Sequence, residues 1–207
     1  MVWEQKQSGN EQAIATLKAS LNVSFSIAEL LVQREIYTFE DAKHYFRPAL
    51  KNLHSPFLMK DMHKAVKRIQ NALANKSSIL VYGDYDVDGT TSVALVYSYL
   101  KQLNPNTYSY IPDRYTEGYG LPNQGIQHAI DQNINLIICL DCGIKAIDKV
   151  AFAAQNSIDI IICDHHRPGD TIPNAYAILN PKQQDCSYPF KELCGCGIGF
   201  KLVQALN

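Results

Sequence analysis

Residues 79–90 read Ile79-Leu80-Val81-Tyr82-Gly83-Asp84-Tyr85-Asp86-Val87-Asp88-Gly89-Thr90, and this stretch sets the architecture. Its first part is a short unbroken apolar run, the pattern of a strand buried on both faces. Three aspartates at alternate positions come next, and then a helical pattern in which Val93, Val96, Tyr97 and Leu100 share one face. A buried strand that runs through an acidic loop into an amphipathic helix is the first half of a crossover unit. Its continuation is a parallel strand in the same sheet.

Beyond this stretch the alternation persists. Further strands are expected at 108–111, 136–140, 158–163 and 175–179, with helices at 125–132, 145–154 and 198–206. The expected fold class is α/β: a mostly parallel sheet with helices on both faces. Upstream there are no strand-like runs. Met62, Val66, Ile69 and Leu73 fall at spacings of four, three and four, one face of a helix, and shorter helices are expected near 27–34 and 39–46. Pro48 and Pro56 bracket a loop before the longer helix. The expected organisation is a small helical leader over 1–76 packing on an α/β domain over 77–207.

Composition narrows the class. The 207 residues are 46% apolar and 19% charged, which is ordinary for a globular chain. No apolar run is long enough to span a bilayer, and Glu4, Gln5, Lys6 and Gln7 come too early for a basic-then-apolar leader, so no membrane and a cytoplasmic home are expected. Six cysteines could make three disulfides, but Cys139 and Cys163 sit inside strand-like runs. Cys194 and Cys196 are too close to bridge, and Cys139/Cys142 does not open a helix, so reduced thiols are expected. A formal charge of −1 gives no global pull toward nucleic acid. Between Lys43 and Lys76, however, eight Lys and Arg residues face the single acid Asp61, a pattern that suits a solvated helix face or a phosphate track.

The chemistry lies just past the ends of three of the strands. The first leads into Asp84, Asp86 and Asp88, the run 136–140 ends in Asp141-Cys142-Gly143, and the run 158–163 ends in Asp164-His165-His166. Ligands of open parallel sheets bind beyond the carboxyl ends of the strands, where these groups can converge. Crowded carboxylates repel one another unless cations neutralise them. Oxygen ligands with imidazole suit Mn2+ or Mg2+, and two such ions can clamp the attacking and leaving oxygens of a phosphodiester. An EF-hand reading fails, because the twelfth position of that loop is Leu95 and the motif comes after a strand. No Walker loop is present. Asp86-Val87-Asp88-Gly89-Thr90 also looks like the D-x-D-G-T of haloacid-dehalogenase-type phosphatases, but the later paired acids of that family are missing. Gly195-Cys196-Gly197-Ile198-Gly199 opens a helix without matching G-x-G-x-x-G and reads as close backbone approach.

Taken together, 83–89, 140–143 and Asp164-His165-His166 resemble the motifs of DHH phosphoesterases. The blocks Ile111-Pro112-Asp113-Arg114-Tyr115-Thr116-Glu117-Gly118-Tyr119-Gly120-Leu121 and 195–206 look specifically like the RecJ branch of single-strand-specific DNA exonucleases, as do 30–34 and 53–58. The resemblance covers about residues 26–207. It implies that Asp86, Asp88, Asp141 and His165 are metal ligands, with Asp141 bridging two ions and Asp84 completing or orienting the set. It implies a catalytic role for His166 near the scissile phosphate, with Asp164 beside it, and a substrate path shaped by Arg114, Glu117, Gly118 and Gly197. Many DHH proteins carry a histidine where this chain has Tyr82. The implied activity is 5′-to-3′ hydrolysis of single-stranded DNA with two Mn2+ or Mg2+ ions, in repair and recombination; the implied partners are single-strand-binding protein and a helicase. Small-nucleotide or cyclic-dinucleotide phosphodiesterases of the superfamily, and a non-catalytic DNA-binding replication scaffold, are the alternatives. The family pattern also expects one more ligand aspartate and a second domain beyond the third motif, so residues 1–207 alone are expected to fold, to be empty or partly occupied by metal, and to be nearly inactive on single-stranded DNA.

Overall fold

The computed structural model describes residues 4, 6 and 9–207; of the residues behind the leader expectation, Gln5 and Gln7 lie outside the described residues. The chain divides into two compact units, residues 1–53 and 54–207. In the first, α1 (Glu11–Leu21) starts at Asn10, whose side chain accepts from the amides of Gln12 and Ala13. Ser24 caps α2 (Phe25–Val32), and Thr38 and Asp41 form a reciprocal capping box on α3 (Phe39–Phe46). Ile14, Leu17, Ala28, Leu31, Val32, Ile36 and Ala42 make the core of this unit.

The second unit opens with α4 (Met62–Ala74) and then alternates. Its order is β1 (Ile79–Gly83), α5 (Val87–Leu103), β2 (Thr107–Tyr110), α6 (Asn123–Asp131), β3 (Leu136–Leu140), α7 (Ile147–Gln155), β4 (Asp159–Cys163), β5 (Ala177–Leu179) and α8 (Gly195–Leu206). All four pairings are parallel and the strand order is β2-β1-β3-β4-β5. Successive strand residues face opposite sides. Ile79, Val81, Ile138 and Ile161 pack with α4, α5 and α8, whereas Leu80, Ile137, Ile160 and Ile162 pack with α6 and α7. Both faces are therefore covered, which is why the strands read as unbroken apolar runs.

Two differences from the sequence-based expectations have physical causes. The division between units falls at Leu53/His54 instead of 76/77, because Met62, Ala65, Val66 and Ile69 of α4 are buried in the same core as β1 and β3. The basic face of α4 is also largely engaged. Arg68 pairs with Asp159 at 2.6 Å and donates to the Asn135 carbonyl, while Lys64 stands over the Tyr176 ring. Asp159 and Asn135 lie at the amino ends of β4 and β3, away from the acidic loops. No helix among the described residues is long and apolar enough to cross a membrane, and the six cysteines are free.

Strand order positions the site. The chain leaves β1 toward β2 on one side, and β3 lies on the other. Loops that depart in opposite directions open a crevice at the carboxyl ends of β1 and β3.

Candidate metal centre

The loop after β1 carries three carboxylates into the entry of α5, each held differently. Asp84 is fully buried. Asp86 is exposed and caps α5, its Oδ1 accepting from the Gly89 amide at 2.9 Å. Asp88 lies in the first turn of that helix. The tight entry into α5 requires Gly89, since a Cβ there would lie 2.3–2.7 Å from the Asp84 backbone.

At the end of β3 the chain turns through Asp141 in a left-handed conformation (φ 62°), its amide donating to the Cys163 carbonyl at 2.8 Å. This turn inserts the Asp141 carboxylate beneath the crevice, with only 1% of the residue exposed. After β4 comes Asp164, also buried. Its Oδ2 accepts from the Ile144 amide at 2.9 Å, and its Oδ1 accepts from the amide of His166 and, at 2.7 Å, from His166 Nδ1. With the proton on Nδ1, Nε2 of the neutral ring accepts from the Tyr119 hydroxyl at 3.1 Å. His165 Nε2 lies 3.1 Å from Asp141 Oδ1 and 3.6 Å from Asp88 Oδ2.

Donor atoms of Asp141, His165 and His166 all fall within 4.8 Å of one another. Neither carboxylate oxygen of Asp84 accepts a well-formed hydrogen bond, and nor does Asp141 Oδ1. Burial pushes the Asp84 carboxyl above the usual range, against the pull of the Tyr85 amide. Burial, then the charges of Asp88, Asp86 and Asp164, push Asp141 up to about 8. Buried, mutually repelling oxygens that accept no well-formed hydrogen bond are the observation that fits a hard divalent cation.

The other expected site residues surround this cluster or support it. Arg114 lies over the Tyr85 ring at 5.4 Å, and Tyr85 meets the edge of Tyr119 at 6.3 Å. Glu117 fastens its own loop, accepting from the Tyr110 hydroxyl and the Asp113 amide, while Gly118 provides a positive φ of 81° in that loop. Gly197 sits in the first turn of α8, its amide on Cys194 Sγ. Asp164 acts on His166 through two hydrogen bonds, so its position is that of an orienting group. His166 joins the donor cluster as well as facing Tyr119. Tyr82 is fully buried and donates to the Gly120 carbonyl at 2.7 Å, which holds the 111–121 block over the sheet. Sequence reasoning missed Tyr119 as a partner of His166. It also missed that both oxygens of Asp88 accept at 2.7 Å, Oδ2 from the Gly195 amide and Oδ1 from that of Cys196. The glycine run at 195–199 was the available signal for the second.

Residues 78–207 match the model of the DHH family, N-terminal domain. A single-stranded-DNA-specific exonuclease RecJ of Bacillus subtilis (strain 168) is 39% identical over 206 residues, covering 100% of this chain and 26% of that protein. The protein of the same name from Escherichia coli (strain K12) is 40% identical over 147 residues, 70% of this chain and 26% of that one. A crystal structure of exonuclease RecJ bound to manganese superposes with a TM-score of 0.65 at 30% identity, covering 72% of this chain and 37% of that chain. RecJ in complex with Mn2+ from Thermus thermophilus gives 0.76 at 24% identity over 97% of this chain and 28% of that one, a likeness of fold. The chain thus spans about a quarter of the length of these curated relatives.

Proposed function

Since the chain belongs to the DHH family, whose amino-terminal domain it carries over residues 78–207, we propose that its strand ends hold two Mn2+ or Mg2+ ions and that the protein hydrolyses single-stranded DNA from the 5′ end. The observation that carries this reading is the convergence of Asp141, His165 and His166 within 4.8 Å beside buried carboxylate oxygens of Asp84 and Asp141 that accept no well-formed hydrogen bond. The names of the relatives, single-stranded-DNA-specific exonucleases, support the substrate class. So does the manganese in the related structure for the cofactor.

Asp84, Asp86, Asp88, Asp141 and His165 would hold the ions, and a ring nitrogen of His166 lies in the same cluster as Asp141 and His165. Bound divalent ions supply an acidified water and neutralise charge on the phosphate. The chain does the rest by positioning. Asp164 fixes the His166 ring through Nδ1 and leaves Nε2 against the Tyr119 hydroxyl. Arg114 over Tyr85, and Tyr85 against Tyr119, line up one guanidinium and two aromatic rings leading to His166. A charged backbone with stackable bases matches that line better than a compact phosphate ester does. A polymer-cutting enzyme of this kind would act in the cytoplasm, with single-strand-binding protein and a helicase as partners.

Calorimetric titration of Mn2+ into the full-length protein, followed by release of mononucleotides from a labelled single strand, tests the reading. Asp141→Ala is expected to remove binding and hydrolysis more completely than Asp84→Ala, because a bridging carboxylate serves both ions. Equal, mild losses in the two variants would remove the two-ion reading. Cleavage of cyclic dinucleotides in place of single strands would move the substrate to the small-nucleotide branch.

A further inference from the structure

We infer that Gly195 is a positioning residue that sets the relative geometry of two ligands of the metal centre, Asp88 and Asp141; the inference rests on the metal-centre reading above. The first amides of a helix have no acceptor within it. In α8 these donors are all accounted for. The Gly195 amide donates to Asp88 Oδ2 and the Cys196 amide to Asp88 Oδ1, each at 2.7 Å, while the Gly197 amide meets Cys194 Sγ at 3.3 Å. Asp88 belongs to the first turn of α5, so its carboxylate ties α5 to α8. Each of its oxygens, with a single amide donor, keeps a lone pair for a cation.

The other flank of Gly195 faces Asp141. A Cβ at position 195 would lie 2.6 Å from Asp141 Oδ1, 2.7 Å from its Cβ and 2.8 Å from its Cγ. Asp141 cannot yield, because it is buried and its backbone is fixed in the left-handed region. Gly195 itself is not among the positive-φ residues, so what it provides is space, not backbone freedom. One residue therefore donates to the first ligand and makes room for the second. Any side chain there pushes α8 off Asp141 and drags Asp88 along by its two amides. Gly197 and Gly199 do not share this duty: a Cβ at either would first meet a side chain, Leu193 Cδ2 at 3.1 Å or Val96 Cγ2 at 3.2 Å.

Two measurements test the inference. In the metal-free chain, Asp88→Ala should speed amide exchange at Gly195 and Cys196 by about tenfold or more, since nothing else holds those amides. Unchanged exchange would overturn the tether. In Mn2+ titrations, Gly195→Ala should weaken affinity by about 10–100-fold, the range seen when groups that orient ligands are lost. Gly199→Ala, a packing change in the same helix, should lower the thermal midpoint and leave Mn2+ affinity unchanged. Wild-type affinity in Gly195→Ala, or equal losses in the two variants, would reduce Gly195 to a packing residue. Should Gly195→Ala fail to fold by circular dichroism, the exchange result decides. If the full-length protein, in which the Mn2+ titrations are made, binds no Mn2+, the metal centre itself is contradicted, and the exchange result still decides whether α8 is tethered to Asp88.

Discussion

Asp141 carries two burdens at once: its carboxyl group is buried, and three other carboxylates stand around it. Its pKa is pushed up to about 8, first by burial and then by Asp88, Asp86 and Asp164, whereas an aspartate in the unfolded chain titrates at about 3.9. The folded state therefore holds a proton that the unfolded state has released. Relative stability is therefore greatest below about pH 4, where both states hold the proton, and is lost as pH rises through 8. A dication at the same oxygens competes with that proton, so Mn2+ should bind more tightly as pH rises toward 8 and should release protons on binding at pH 6.5. Calorimetry in two buffers of different ionisation enthalpy reads the release directly. Expected is a release of roughly one proton; a buffer-independent heat in the wild type would show that Asp141 is already ionised.

The strands and most helices were legible as elements because each has one environment. β1, β3 and β4 are buried on both faces, so apolar runs located them to within a residue or so. Asp84, Asp86, Asp88, Asp141, His165 and His166 were legible for a related reason: they come directly after those runs. What stayed hidden depends on which loop folds over which. Nothing near Tyr119 in sequence announces His166, and nothing near Asp88 announces Gly195 and Cys196. The α4 cations were misleading in the same way, since Arg68 could have faced a phosphate path or the sheet. It faces Asp159 and Asn135 at the amino ends of the strands. Arg68→Ala is accordingly expected to cost about 1 kcal/mol, or roughly 2–4 °C in thermal midpoint, while leaving the salt dependence of single-strand binding alone. A flattened salt slope with an unchanged midpoint would restore the phosphate-track reading.

Across the chain as a whole, the two cores of the sheet unit and the acidic crevice share few side chains. The cores are built from strand interiors and helix faces, the crevice from residues just past the strand ends. Asp141 is the clearest case, because folding disfavours it twice, by its left-handed backbone and by its buried, crowded carboxyl group. Asp141→Gly keeps the amide that donates to Cys163 and removes both penalties. Relief of the backbone alone is worth about 1–2 kcal/mol, and the metal-free thermal midpoint should rise by roughly 2–4 °C for each kcal/mol gained. Mn2+ binding should vanish in the same variant; a lower midpoint would mean that Asp141 supports the fold. Selection for folding alone would therefore discard this aspartate. A copy of the gene kept only for its fold would lose this carboxylate, and with it the metal centre, before it lost its shape.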